Sequence, residues 1–134
     1  MAASSSLIRN AKGEVLAWAS HRLGTPFREP CIALGVVGRE GRLIGAIVYN
    51  DYDARNVEMT AVGVFRRDAA REIFSVAFDE LQCRRISLTV PAKHEHTIRK
   101  AQKWGWEIEG LKRNYYDNDD AVIMGMTREE CRFI

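Results

Sequence analysis

Two stretches of this sequence hold residue types whose spacing could bind or transform a charged ligand. The first is Val57-Glu-Met-Thr-Ala-Val-Gly-Val-Phe-Arg-Arg-Asp-Ala-Ala-Arg71, in which a strand-like run reaches Gly63 and passes through small and basic residues into a helical pattern. A strand that ends on a glycine ahead of a helix N-terminus leaves backbone N–H groups unpaired and aimed at one point. Arg66, Arg67 and Arg71 bring guanidinium groups to that point, which is the chemistry of an anion or phosphate site. The same residues also read as a loop of solvated arginines beside a helix capped by Asp68. The second stretch, Lys93 to Gly110, is a basic helix closed by Gly105, with Trp104 and Trp106 on either side of the glycine. His94 and His96 lack a third ligand nearby, so no metal is expected, but a histidine there can act as a base or contact a phosphate. Cys31, Cys83 and Cys131 form no C-x-x-C pair and read as small buried thiols of a reducing compartment.

The elements that must position these residues follow from periodicity. Leu7, Ile8, Ala11, Val15, Leu16, Trp18 and Ala19 recur at roughly helical spacing after the serines, any of which could cap a helix, and Gly24-Thr25-Pro26 ends it. Cys31 to Val37 and Leu43 to Tyr49, apolar and rich in β-branched residues, read as the arms of a hairpin around Gly38-Arg-Glu-Gly41, and a third strand spans Val57 to Val62. From Asp68 the residues Ile73, Phe74, Ala77, Phe78 and Leu81 form one broad apolar stripe of a helix. Arg85 to Val90 is a strand stopped by Pro91, and a helix from Glu95 to Trp104 follows. Trp106 to Tyr116 and Ala121 to Thr127 are two closing strands around an Asp117-Asn-Asp-Asp turn. Helix, three strands, helix, strand, helix and two strands make an α/β (α+β) layered domain on a mixed sheet.

Composition narrows the function classes. With 134 residues, 46% hydrophobic and 28% charged, the chain is expected to form one domain over 1–134, with 1–6 as a disordered tail, and is neither a low-complexity segment nor a disulfide scaffold. No uncharged run is long enough to cross a bilayer, and the first residues lack a basic n-region, so no membrane partner and a cytoplasmic location are expected. The net charge of +2 is too small to argue for nucleic acid, although eleven basic residues face seven acidic ones between Arg66 and Arg113.

The order of a strand, a phosphate-facing loop and helix, a strand, and a helix ending in Trp104-Gly105-Trp106-x-x-Glu109-Gly110 resembles the GNAT superfamily of acetyl-CoA-dependent N-acetyltransferases. The hairpin around Asn114 to Met126 is also similar to its closing strands, notably in short bacterial and phage members and the branch that modifies ribosomal-protein N-termini. The resemblance covers Ile32 to Thr127 and implies a GNAT-like, mostly antiparallel sheet of about six to seven strands with helices on both faces. It also implies a chain shortened at its N-terminus, because the usual first strand is missing. Under it, Ala61, Val62, Gly63 and Val64 hold the pantetheine arm of acetyl-CoA, the co-substrate, through their backbone. Arg66, Arg67, Asp68, Ala69, Ala70 and Arg71 occupy the pyrophosphate loop, with Ala69 replacing a glycine and Asp68 opposing the phosphates unless it caps the helix or pairs with an arginine. His94 and Thr97 match positions that touch the cofactor.

Glu58 is the implied general base, and backbone N–H groups near Val62 the implied donors to the carbonyl. Ala101 stands where many members carry the thiolate-protonating tyrosine, which leaves Tyr115 or Tyr116 as substitutes. In the ribosomal-alanine branch the base position corresponds to Thr89. The activity implied is acetyl transfer to a primary amine, of a small molecule or a peptide N-terminus, without a covalent enzyme intermediate and without metal. A catalytically idle GNAT-like module that binds CoA or a protein stays open beside it. So does a nucleic-acid-binding domain using Arg66, Arg67, Arg84, Arg85, Lys112 and Arg113. A homodimer is a further expectation, through the shortened N-terminal edge, the Leu43 to Tyr49 arm or Cys131 to Ile134.

Overall fold

In the computed structural model, residues 5–64 and 66–134 are described. Seven strands pair side by side: β1 (Ser5–Ile8), β2 (Cys31–Gly38), β3 (Leu43–Asn50), β4 (Asn56–Gly63), β5 (Arg85–Pro91), β6 (Glu107–Tyr116) and β7 (Asp119–Thr127). They form one sheet in the order β1-β2-β3-β4-β5-β7-β6, antiparallel throughout except between β4 and β5. Helix α1 (Lys12–Leu23) lies on one face, where Val15 and Ala19 pack against Cys31, Ala33, Ala46 and Val48. On the other face lie α2 (Ala70–Ser75) and α3 (Glu95–Lys103). There Ile73 and Phe74 meet Leu34, Ile47, Tyr49 and Ile86, and the Tyr49 hydroxyl donates to the Ile73 carbonyl at 2.7 Å. No helix among the described residues is long and apolar enough to cross a membrane.

The N-terminus corrects the sequence reading. A helix was expected directly after the serines, with the first strand missing and residues 1–6 a tail; instead Ser5 to Ile8 form an edge strand paired with β2 from Ser5↔Gly38 to Ile8↔Gly35. Pairing satisfies the outer backbone groups of β2, which a helix starting at Leu7 would leave open. Residues 1–4 of that expected tail lie outside the described residues. Helix α1 starts later, from Ala11 without a side-chain cap, and ends on Gly24 in the left-handed conformation.

Helix α2 differs too. Asp68 does not cap it: Arg67–Ala69 form a 3₁₀ turn, and the Asp68 carboxylate binds the Arg66 guanidinium at 3.1 Å. After Ser75 the chain widens into a π turn, Val76–Glu80, with the Leu81 N–H donating to the Val76 carbonyl. The wider turn buries Val76, Ala77 and Phe78 in succession, a broader apolar face than a regular stripe provides. The last hairpin turns on two residues rather than four, since Tyr116 already pairs with Asp119.

Candidate active site

The parallel pair β4–β5 positions the site. It holds for three residue pairs, Asn56↔Arg85, Val57↔Ile86 and Glu58↔Ser87, after which the strands separate. Polar side chains lock the vertex. The Ser87 hydroxyl donates to Asn56 Oδ1 at 2.6 Å, Arg85 Nε reaches the same oxygen at 3.1 Å, and Arg85 also grips Glu109 of β6 with two N–H groups. That grip passes over β7 at Gly125, where a Cβ would lie 2.4 Å from both Arg85 and Glu109. A bidentate arginine–carboxylate pair thus ties three strands to the start of the opening.

Beyond the vertex, β4 keeps its ladder to β3, and the Val64 N–H donates to the Ile44 carbonyl at 2.9 Å. Antiparallel alternation from that bond turns Thr60 and Val62 toward β3 and aims the backbone N–H groups of Ala61 and Gly63 into the gap. Gly63 is required at the end of this arm: its φ is +80°, and a Cβ would stand 2.4 Å from the Ile44 carbonyl oxygen.

The gap runs through the sheet as a cavity of about 1170 Å³. On the α2/α3 side it is lined by Phe74, His94, Thr97, Lys100, Ala101 and Trp104. Toward α1 it opens past Phe27, Arg28, Asp51, Glu58, Lys112 and the two tyrosines Tyr115 and Tyr116. Burial pushes the Glu58 carboxyl above the usual carboxylate range, and Asp51 adds to this while Lys112 and Arg85 partly offset it. Burial, with Tyr115 and Asp119 nearby, also raises the Tyr116 hydroxyl, which therefore keeps its proton at neutral pH.

No protein-family profile and no curated protein matches the chain by sequence. By structure it is similar to spermidine/spermine N-acetyltransferase SpeG from Vibrio cholerae. Mutant forms of that protein share 13% identity, with 94% of this chain and 95% of that chain covered at a TM-score of 0.77. The structure in complex with manganese ions shares 14% identity, with 92% of each chain covered at a TM-score of 0.74. A dodecameric structure of spermidine N-acetyltransferase from the same organism also shares 14%, with 94% and 95% covered and a TM-score of 0.74. The chain has the GNAT fold.

Placed in the GNAT fold, the expected site residues divide into those at the gap and those beyond it. Glu58, Ala61, Val62, Gly63, His94, Thr97, Tyr115 and Tyr116 line the cavity, as do Thr89 and Ala101. Backbone direction separates Ala61 and Gly63 from Val62, whose N–H belongs to the ladder with β3. Val64 is exposed and bonded to Ile44. Arg66 to Arg71 follow the end of the β4 arm, outside the cavity wall, and Phe65 lies outside the described residues. The Arg67 guanidinium stacks on Phe133 at 5.4 Å and Trp104 at 5.9 Å, Ala70 is buried, and Arg71 is exposed. Tyr115 and Tyr116 meet edge to face at 5.0 Å.

Sequence reasoning missed Asp51 at the mouth and the Asn56–Ser87–Arg85–Glu109 network at the vertex. The one signal for the network was Gly125 inside an apolar strand, since a strand glycine marks a close approach. Among the described residues no group of three or more His, Cys, Asp or Glu side chains is placed to hold a metal ion.

Proposed function

We propose that this chain is an N-acetyltransferase that moves an acetyl group from acetyl-CoA to a primary amine, with both molecules bound at once. The observation that carries this reading is the gap between β4 and β5, open on both faces of the sheet, with the Ala61 and Gly63 N–H groups directed into it. Acetyl-CoA supplies a thioester acyl group on a long amide-bearing arm that ends in phosphates. The arm fits the apolar channel and can accept the inward N–H groups. The phosphates suit the α2/α3 mouth, where Arg66 and Ala69 around the 3₁₀ turn, Ala70 and Arg71 at the start of α2, and His94 and Thr97 at the start of α3 are the binding residues. Asp68 does not oppose them there, because its carboxylate is neutralised by Arg66. Lys100 adds a positive charge to the same mouth.

The acceptor then enters from the α1 side, where Glu58 stands at the vertex. A C–N bond forms as a C–S bond breaks; the amine proton passes to Glu58, and the departing sulfur takes a proton from Tyr116, Tyr115 or water. The raised Glu58 carboxyl suits a base, because a carboxylate closer to neutral binds the proton more firmly. Donors in the arm polarise the carbonyl, and the position of Ala61 and Gly63 makes them, rather than Val62, the groups for that task.

A thiol-release assay with acetyl-CoA and a panel of amines tests the reading. Glu58→Gln is expected to lower kcat by about 10²- to 10⁴-fold while acetyl-CoA still binds. A second reading, an idle CoA-binding module, is favoured by Ala101 in the cavity wall where a tyrosine is usual. It predicts acetyl-CoA binding without turnover for any amine.

A further inference from the structure

We infer that the acceptor is a primary amine that also carries an anionic group, a carboxylate, sulfonate or phosphonate, and not a polycation. The inference rests on the transferase reading above and concerns the α1-side mouth. Five acidic and basic side chains line that side: Arg22 from the end of α1, Arg28 from the segment after it, Asp51 after β3, Glu58 on β4 and Lys112 on β6. Asp51 is occupied by Arg28, whose guanidinium reaches its carboxylate at 2.9 Å. That leaves one unpaired carboxylate among the described residues of this lining, Glu58, with Lys112 acting on it, whereas Arg22 sits with Trp18 against the Gly63 end of β4. Arg22 is fixed with its guanidinium 3.8 Å from the Trp18 ring centroid. Lys112 stands with its ammonium 5.3 Å from the Tyr115 ring and forms no ion pair among the described residues.

An acceptor ammonium directed at Glu58 to deliver its proton brings the rest of the molecule beside Lys112. A second ammonium there meets like charge, and the other carboxylate of the lining, Asp51, already holds Arg28. An anionic group instead pairs with Lys112, and the short side chains Thr60 and Thr89 leave room between the mouth and the vertex. Phe27, Tyr115 and Tyr116 wall the mouth with aromatic surface, so the carbon chain between the two charges is held without further polar contacts.

The test compares kcat/KM for glycine, β-alanine, L-glutamate, taurine and 2-aminoethylphosphonate with that for spermidine, cadaverine and a monoamine lacking a second charge. Wild-type protein is expected to favour at least one anion-bearing amine over spermidine by ten-fold or more; the carboxylate, sulfonate and phosphonate arms identify the group. Lys112→Glu is expected to cut that rate at least ten-fold and to raise the spermidine rate, with Lys112→Gln between the two. Lys112 is exposed on an edge strand, and an unchanged Tm confirms that the variants fold. Spermidine acetylated as fast as the anion-bearing amines, or a preference unmoved by Lys112→Glu, overturns the inference and leaves the transferase reading standing. Absence of acetylation of every amine overturns both.

Discussion

The two halves of the sheet are held by different kinds of force. From β1 to β4 the strands are antiparallel, and the central ones are covered on both faces by apolar side chains, α1 on one side and α2 on the other. From β5 to β6 the apolar core side chains Ile86, Val90, Met124 and Met126 lie on one face beneath α2 and α3, and the opposite face carries the Arg85–Glu109 pair over Gly125. Apolar burial is strong but undirected, whereas hydrogen bonds fix which atoms meet. The halves join at three residue pairs, so the polar network sets where the sheet opens and the apolar cores set how firmly each arm is held. A gap of constant shape needs both.

Breaking the apolar arm should have the largest effect. Gly63→Ala forces a Cβ toward the Ile44 carbonyl at a positive φ, and a loss of about 3 kcal/mol is expected, read as a fall in the denaturant midpoint. Asn56→Ala attacks the polar join instead. It removes the acceptor shared by Ser87 and Arg85, for an expected loss of about 1–3 kcal/mol together with weaker acetyl-CoA binding, because the vertex loosens. Arg9→Ala sharpens the contrast: the Arg9–Glu80 pair is exposed, so a loss of less than about 1 kcal/mol is expected, vanishing at high salt.

The smallest effect has the opposite sign. Glu58 has a folded-state pKa above its unfolded value, so its contribution favours folding below the ordinary carboxylate pKa of about 4.3 and is lost as pH rises through the raised value. At neutral pH the charged Glu58 therefore weakens the fold. Glu58→Gln should raise Tm slightly at pH 7 and lose that advantage toward pH 4, while the acetyl-transfer rate of the wild type falls as Glu58 protonates.

Much of this was legible in the sequence because it rests on local rules. Continuous apolar runs rich in β-branched residues placed β2 and β3, the stripe through Ile73, Phe74, Ala77 and Phe78 placed the central helix, and Gly105 closed α3. What was not legible depends on partners far along the chain. The edge strand β1 exists because β2 offers it an open edge, and Arg67 stacks on Phe133 from the C-terminus. Arg85 reads as one of two adjacent surface arginines until β6 folds beside β7 and brings Glu109 within reach. Asp68 shows the competition plainly, since a cap and an ion pair were both open to it and Arg66 was the nearer partner.

The central claim is that backbone donors of the β4 arm bind the acyl donor inside the gap. Calorimetric titration of acetyl-CoA into the wild type and into Ala61→Pro tests it most directly, because proline deletes one inward N–H and no bond of the β3–β4 ladder. The account predicts one acetyl-CoA per chain with micromolar affinity, weakened ten-fold or more by Ala61→Pro in a protein whose circular dichroism is unchanged. No binding by the wild type up to millimolar ligand, or equal affinity in a folded Ala61→Pro, would contradict it.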